Sequence, residues 1–243
     1  MRLADKVSII TGAGRGIGRA IARAFAEEGS ALTLVARTGE QVEEVARQLQ
    51  RQGAKALPIC ADVASMEDLD RVVNETLKTF GAPNVLVNNA GIFIYKRFLD
   101  WTEAEFDTTL AINTKAAFFL CQKVLPHMLE QGGGKIINIS SIHGKVGDVN
   151  IAGHCVSKFG LLGLTQALAR ELKKVNICIN AICPGAVETK TIESQSFQGL
   201  SPLDSKLSPE SVARVAVFLA SHDSDAISGA ALDIFGGSSV IIS

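Results

Sequence analysis

Short apolar segments alternate with longer segments of helical periodicity along almost the whole chain. The apolar segments predict strands at Val7–Thr11, Ala31–Ala36, Ala56–Cys60, Asn84–Asn88, Lys135–Ile139, Asn176–Ile182 and Ala231–Phe235. The periodic segments predict helices at Gly16–Glu28, Glu40–Gln52, Met66–Phe80, Glu103–Gln131, Ile151–Lys174 and Pro209–Ser221. This alternation is typical of an α/β, doubly wound, Rossmann-type parallel sheet of about seven strands with helices on both faces.

The chain shows no change of composition and no linker that would divide it. A single domain over residues 1–243 is therefore the prediction. One irregular stretch, residues 188–208, is rich in serine and lacks apolar periodicity. Because long irregular segments of compact domains often cover a site, we predict a lid-like loop there.

Composition narrows the function classes. Hydrophobic residues make up 47% of the chain, charged residues 20%, and the formal net charge is −1. This balance is typical of an ordinary globular protein and does not favour binding to nucleic acid or to an anionic membrane. No apolar run approaches the ~20 residues that a membrane span requires. The five cysteines have neither a CxxC pair nor a metal-ligand spacing, so we expect reduced thiols, no metal site and a cytoplasmic location.

A glycine-rich stretch follows the first predicted strand and opens the first predicted helix. It reads Thr11-Gly12-Ala13-Gly14-Arg15-Gly16-Ile17-Gly18, a TGxxxGxG spacing in which Ile17 stands where GxGxxG has its last glycine. Glycines let the backbone turn tightly and approach a phosphate, and the helix N-terminus adds free N–H groups and partial positive charge. The stretch predicts a pyrophosphate cradle, although alone it also fits a structural strand-to-helix turn.

The second predicted strand ends in a base instead of an acid. The residues after Val35 are Ala36, Arg37 and Thr38, and the next carboxylate is Glu40. A carboxylate here would bind a ribose 2′-hydroxyl and repel a 2′-phosphate, whereas a guanidinium pairs with phosphate. Arg37, helped by Arg15, therefore predicts NADP(H) rather than NAD(H). The alternative is a solvated surface arginine.

Three further segments come directly after predicted strands. Asp62-Val63, Asn88-Asn89-Ala90-Gly91 and Pro184-Gly185 follow strands three, four and six. Ligands of open parallel sheets bind at the carboxyl ends of the strands, so these segments are candidates for nucleotide contacts. Each alone is also consistent with ordinary turn chemistry.

With these motifs in this order, the chain resembles the short-chain dehydrogenase/reductase family from about Leu3 to Gly237, and within it the 3-oxoacyl-carrier-protein reductases. The resemblance implies an NADP(H)-dependent oxidoreductase that reduces a ketone or oxidises a secondary alcohol on a small molecule. The implied cofactor contacts are Gly12, Arg15, Ile17, Gly18, Arg37, Asp62, Val63, Asn89, Ala90, Gly91, Lys158, Pro184, Gly185, Val187 and Thr189.

The same resemblance implies a catalytic set. Asn113 matches the asparagine that sustains a water relay, Ser141 the serine that hydrogen-bonds the substrate carbonyl, and Lys158 the lysine that holds the nicotinamide ribose and tunes the acid. The family's tyrosine would stand four residues before Lys158 and thirteen after Ser141, and both counts lead to His154. The chain's only tyrosine is Tyr95, so His154 is predicted to occupy the position of the proton donor.

A histidine at this position changes the expected proton chemistry. Residues i and i+4 share a helix face, so His154 and Lys158 can face one ligand. The lysine cation would push the imidazole pKa below its usual ~6.5 and leave mostly neutral imidazole, a poor acid. A well-placed histidine is nevertheless a competent acid or base. Two interpretations stay open: a working carbonyl reductase, or a catalytically weak nucleotide-binding relative that acts as a sensor or partner subunit.

Weaker signals concern the surroundings of the site. His143 and Tyr95 are candidates for the pocket lining, although a capped loop histidine and a packed aromatic are the ordinary alternatives. Residues 130–134 lack the positive charge that an acidic carrier protein would seek, so a small carbonyl substrate is at least as good a candidate. The predicted helices Glu103–Gln131 and Ile151–Lys174 resemble those that pair subunits in the family, which implies a homo-oligomer, either a dimer or a tetramer.

Overall fold

The computed structural model describes residues 1–187 and 207–235. Its strands are β1 (Val7–Thr11), β2 (Ala31–Ala36), β3 (Ala56–Cys60), β4 (Val85–Asn88), β5 (Gly134–Ile139), β6 (Ile177–Pro184) and β7 (Ala231–Ile234). They form one sheet in the order β3-β2-β1-β4-β5-β6-β7, and all neighbouring strands are parallel. The predicted Rossmann-type fold with a seven-stranded parallel sheet is confirmed.

Helices cover both faces of the sheet. They are α1 (Gly16–Glu27), α2 (Gly39–Arg51), α3 (Met66–Phe80), α4 (Glu103–Leu110), α5 (Ala116–Glu130), α6 (Ala152–Glu171) and α7 (Pro209–Ala220). The single helix predicted over Glu103–Gln131 is wrong in one respect, since a π-helical turn at Ala111–Lys115 separates α4 from α5. Such a turn changes the local repeat for only a few residues, so apolar periodicity does not reveal it.

The sheet separates two apolar cores. Phe25 of α1 and Val217 of α7 are buried in one core, while Val72 of α3 and Leu120 of α5 are buried in the other. Successive positions of β1 serve opposite cores, because Ile10 belongs to the first and Ile9 to the second. Burial of each such side chain contributes ~1.5–3 kcal/mol, so packing on both faces holds β1 firmly at the centre of the sheet.

The strand order reverses between β1 and β4. From β1 the chain builds outward to β2 and β3, and then returns to place β4 on the other side of β1. Open parallel sheets bind ligands in the crevice outside the carboxyl ends of the strands at such a reversal. The fold therefore directs the search for a site to the segments that follow β1 and β4.

No helix within the described ranges combines the length and the apolar character needed to cross a membrane. The lid-like loop predicted over residues 188–208 lies outside the described residues, except for Leu207 and Ser208.

Candidate active site

The glycine-rich turn after β1 leaves no room for a side chain at Gly12 or Gly18. A Cβ added at Gly18 would lie 2.3 Å from the carbonyl oxygen of Gly12 and 2.5 Å from Nδ2 of Asn89. Gly12 itself has a φ of +66°, a conformation that favours glycine. Asn89 spans the turn by donating from Nδ2 to the carbonyls of Thr11 at 2.8 Å and Gly12 at 3.2 Å. The turn is therefore a tight backbone cradle at the start of α1, as a pyrophosphate site requires.

Thr11 ties this cradle to the end of β4. Its hydroxyl oxygen accepts hydrogen bonds from the backbone N–H groups of Asn89 and Ala90, each at 3.0 Å. The same hydroxyl donates to the carbonyl of Val87 at 3.3 Å. Thr11 belongs to the glycine-rich stretch, but the sequence did not predict this bridging role. The signal for its role is a threonine at the last position of the central strand, where its side chain can reach the neighbouring strand.

Two arginines at the same edge are free to meet an anion. Arg15 caps the N-terminus of α1 without a side-chain hydrogen bond, and Arg37 follows β2 directly. Both side chains are exposed, and neither has a hydrogen-bond or ion-pair partner within the described ranges. Thr38 is the N-cap residue of α2, and its side chain accepts no hydrogen bond from that helix. The first N–H groups of α2 are therefore not capped by a side chain.

The segments predicted to contact the nucleotide lie along this edge. Val63 and Ala90 line a small cleft together with Thr11 and Asn113. Asp62 is held in its turn, since its backbone N–H donates to Asp68 and its carboxylate accepts from the N–H of Ala64. Gly91 is exposed, and a Cβ there would lie 3.8 Å from Nζ of Lys158. The segment after β4 thus runs from the cofactor cradle to the predicted catalytic lysine.

Asn113 lies in the π-helical turn between α4 and α5. Its Oδ1 accepts from the N–H of Ile92 at 2.8 Å, and its Nδ2 donates to the carbonyl of Ile92 at 3.0 Å. Nδ2 also donates to Oγ of Ser157 at 3.0 Å, and Ser157 in turn donates to the carbonyl of His154 at 2.8 Å. The amide therefore joins the segment after β4 to α6. Ser157 is a second residue that sequence analysis missed, and its position beside Lys158 was the available signal.

Lys158 is buried on α6 and aimed back at the sheet. Its Nζ donates to the carbonyl of Ile139, the last residue of β5, at 2.7 Å. Burial lowers the pKa of this ammonium group to about 8. Ser140 secures the same turn of helix by donating from Oγ to the Lys158 carbonyl at 3.1 Å. A lysine with this pKa is still mostly charged at neutral pH and can release a proton near that range.

Ser141 follows β5 and begins a short 3₁₀ turn, Ile142–Gly144. Its Oγ accepts a hydrogen bond from the N–H of His143 at 3.1 Å. Because the oxygen acts as acceptor there, the hydroxyl hydrogen is left to donate elsewhere. The side chain is half-buried, which leaves it open on one side. This arrangement suits a donor to a substrate carbonyl.

His154 lies buried in the first turn of α6. Its ring meets Phe93 edge to face, with ring centroids 4.8 Å apart, and lies 6.3 Å from the ring of His143. Burial, then the charge of Lys158 and then His143 lower the pKa of His154 to about 3, while the backbone of Ile92 raises it slightly. The imidazole is therefore neutral at pH 7, in the direction that the sequence predicted.

His143 is also held in its neutral form, because burial lowers its pKa. Nδ1 of His143 and Nδ1 of His154 are both enclosed without a hydrogen-bond partner within the described ranges. An enclosed nitrogen without a partner opposes protonation and costs free energy. The two imidazoles and Phe93 thus form an aromatic wall with two enclosed ring nitrogens, on the side of the site next to Ser141.

The last predicted contacts follow β6. Pro184 is buried, and the N–H of Gly185 donates to the carbonyl of Ile234 in β7 at 2.9 Å. Val187 forms an isolated parallel bridge with Leu207, which brings the two ends of the undescribed stretch together. Thr189 lies outside the described residues.

A polar cavity of about 150 Å³ lies at the opposite edge of the sheet. Lys135 and Asp225 line it and pair with each other at 2.6 Å, and Asn84 there accepts from the N–H of Val7 and donates to Gln131. Its polar groups largely satisfy one another, and none of the predicted site residues lines it. The convergence of predicted residues at the carboxyl edge, rather than the size of a cavity, locates the candidate site.

Comparison with known families and proteins identifies the class of protein. Residues 6–198 match the family described as short chain dehydrogenase. The chain belongs to that family, which confirms the resemblance noted in its sequence, and it is an oxidoreductase. Membership implies a nicotinamide cofactor, and the glycine cradle that a Cβ would fill at Gly18 fits its pyrophosphate.

Individual relatives cover nearly the whole chain. The 3-oxoacyl-[acyl-carrier-protein] reductase FabG of Aquifex aeolicus is 35% identical over 98% of this chain and 98% of the relative. The protein of the same description from Thermotoga maritima is 35% identical over 98% of this chain and 99% of the relative. Among solved structures, levodione reductase has a TM-score of 0.92 at 33% identity, covering 97% of this chain and 98% of that one.

Proposed function

We propose that this protein is an NADP(H)-dependent oxidoreductase that interconverts a small ketone and the corresponding secondary alcohol. The observation that supports this most strongly is that Ser141 and Lys158 lie at the carboxyl end of β5, on the same edge of the sheet as the glycine turn after β1. His154 takes the place of the family's proton donor in this proposal. NADP(H), when bound, supplies or accepts the hydride, and the chain's own residues do the rest.

Different residues would hold different parts of the cofactor. The cradle formed by Gly12, Ile17 and Gly18 suits the pyrophosphate, and the exposed Arg15 and Arg37 suit a 2′-phosphate because guanidinium pairs with phosphate. The remaining contacts would be Asp62, Val63, Asn89, Ala90, Gly91, Lys158, Pro184, Gly185, Val187 and Thr189. The two exposed arginine side chains, with no carboxylate after β2 before Glu40, support NADP(H) over NAD(H).

Ser141 and Lys158 would orient the substrate and manage its charge. The hydroxyl of Ser141 can donate to the carbonyl oxygen, since its own oxygen is already held by the N–H of His143. The Lys158 ammonium would stabilise negative charge that develops on that oxygen. Asn113 joins the segment after β4 to Ser157, the residue before Lys158, and so helps to hold that lysine in place.

Proton transfer is the weak point of this site. A ketone that gains a hydride must also gain a proton, and His154 holds few protons at neutral pH because its pKa is about 3. In the reverse direction the neutral imidazole can accept the proton of an alcohol. We infer that reduction through His154 is favoured by acid, because the protonated fraction of the ring rises as the pH falls.

A second candidate function is favoured by the same ring. A buried, neutral His154 whose Nδ1 has no hydrogen-bond partner within the described ranges suits a catalytically weak nucleotide-binding relative that acts as a sensor or partner subunit. NADPH binding by fluorescence, measured beside NADPH oxidation with a panel of small ketones, separates the two. Binding with turnover supports the oxidoreductase, and binding without turnover on any ketone supports the second function.

A homo-oligomer is also part of the proposal. Phe106 of α4, Phe118 of α5, and Val156 and Phe159 of α6 are exposed apolar side chains on the helices that resemble subunit-pairing helices. Replacing Phe159 with Asp should reduce the mass measured by light scattering if these helices pair subunits as a dimer or tetramer. The cytoplasmic location and the lack of a nucleic-acid partner stay predictions.

A further inference from the structure

Trp101, the chain's only tryptophan, packs against the first turn of the helix that carries His154. A Cβ added at Gly153 would lie 2.5 Å from Cη2 and 2.7 Å from Cζ3 of this indole. Real side chains do not approach so closely, so the indole occupies the space that any other residue at position 153 would need. Gly153 immediately precedes His154, and the contact is therefore one residue from the proposed proton-transfer group.

The indole is held from the side of α4. Its Nε1 donates to the carbonyl of Lys96 at 3.2 Å. Lys96 in turn pairs through Nζ with both carboxylate oxygens of Glu105, at 2.6 and 2.8 Å. Glu105 also closes the capping box that begins α4. The segment that carries Trp101 is thus fixed by a helix start and by an ion pair.

The same segment is fastened to the start of α6. The N–H of Lys96 donates to the carbonyl of Asn150 at 2.7 Å, and Nδ2 of Asn150 donates to the hydroxyl of Tyr95 at 3.0 Å. Asn150 has a φ of +61°, a conformation uncommon outside glycine. Residues 95–101 and 150–153 together are named the clasp. Its contacts join residues 95–101, which precede α4, to residues 150–153, which lead directly to His154.

We propose that Trp101 is a positioning residue, which fixes the first turn of α6 through Gly153 and keeps the His154 imidazole dry and in place. The inference rests on the proposed function only for the role of His154. The packing of the clasp does not depend on that role.

The groups that act on the His154 ring come from three elements. They are Lys158 from its own helix, His143 from the turn after β5, and the backbone of Ile92 after β4. The charged side chains of the clasp are paired, Lys96 with Glu105 and Arg97 with Asp100. Trp101 is uncharged, so its effect on the imidazole must come from excluding water and fixing the helix turn.

The test uses a glycine substitution and a matched control. Gly153→Ala places a methyl group against the indole, whereas Gly163→Ala adds the same group on the same helix in open space. Trp101→Phe removes the outer ring whose atoms meet that methyl group. The double variant should therefore relieve the clash and return some of the lost packing.

The direct measurement is the titration of the His154 ring by NMR in the full chain, with the resonance assigned from His154→Gln. We expect Gly153→Ala to raise the titration midpoint by about one unit or more, because water reaches the ring. Gly163→Ala should leave the midpoint unchanged. Trp101→Phe alone should raise it, and the double variant should lie nearer the wild type than either single variant.

Two further measurements are the fluorescence of Trp101 and the rate of ketone reduction. We expect the wavelength of maximum Trp101 fluorescence to shift in Gly153→Ala. We also expect kcat to fall by about tenfold or more while NADPH affinity is unchanged. Unchanged His154 midpoints in both Gly153→Ala and Trp101→Phe would overturn the inference. If the midpoints shift while the wild type reduces no ketone, the positioning is supported and the proposed function fails.

Discussion

The cofactor end and the proton-transfer end of the candidate site are built in different ways. At the cofactor end, backbone groups of the glycine turn are fixed by Asn89 and Thr11, so the shape depends on several residues at once. At the proton-transfer end, the chemistry depends on the single ring of His154 and on what surrounds it. The first end can therefore keep its function while the second changes, and each end can be tested alone.

The largest effect is expected from Gly18→Ala at the cofactor end. Its Cβ would lie 2.3 Å from the Gly12 carbonyl oxygen, so the cradle must distort. We expect NADPH affinity to fall by about 100-fold or more, because a lost hydrogen bond to a charged phosphate costs about 1.5–3 kcal/mol. Calorimetric titration measures it, with Gly163→Ala as the control. Affinity equal to that of the control would show that the phosphates bind elsewhere.

At the other end, His154→Tyr should restore the missing donor. A phenol beside Lys158 can hold its proton at neutral pH and give it to the substrate oxygen. We expect ketone reduction at pH 7 to rise by about tenfold or more. His154→Phe, which supplies a ring without a hydroxyl, is the control and should show no gain. If His154→Tyr stays as slow as His154→Phe while binding NADPH normally, His154 does not occupy the donor's place.

Arg37→Asp tests whether Arg37 sets the preference for NADPH over NADH. A carboxylate after β2 would repel a 2′-phosphate and accept bonds from a 2′-hydroxyl. The ratio of NADPH to NADH affinity should fall by about tenfold, because one ion pair with phosphate is lost. Arg51→Asp, at the far end of α2, should leave the ratio alone. An equal ratio in both variants would show that Arg37 is an ordinary surface arginine that does not contact the 2′-phosphate.

The smallest effect concerns the link between β1 and β4. Thr11→Val keeps the shape of the side chain but leaves the N–H groups of Asn89 and Ala90 without their acceptor. Unpaired buried donors cost about 1–3 kcal/mol, so the free energy of unfolding in urea should fall by that order. NADPH affinity should weaken in parallel. A variant as stable as the wild type would show that water replaces the hydroxyl.

The fold was largely predictable from the sequence because strand and helix periods are local signals. The glycine spacing also located the cradle, since only a few backbone paths need glycine at positions 12 and 18. The π turn that holds Asn113 was not predictable, because it depends on hydrogen bonds to Ile92 and Ser157 rather than on periodicity.

Tertiary partners account for the rest of what the sequence did not reveal. Trp101 and Gly153 are about fifty positions apart in the sequence, and only the folded chain brings the indole against the helix. The charge of Lys158 was a sufficient reason to expect a neutral His154. The structure adds burial as the larger cause of the lowered pKa, and burial depends on neighbours such as Phe93 that a sequence does not place.

The pH dependence of kcat for ketone reduction at saturating NADPH tests the contrast between the two ends most directly. Above its pKa of about 3, the protonated fraction of His154 falls tenfold for each pH unit. With His154 as the acid, the account predicts a rate that falls steadily from pH 5 to pH 8 while NADPH affinity stays nearly constant. A rate that holds level through neutral pH, or one that rises with pH, would contradict it.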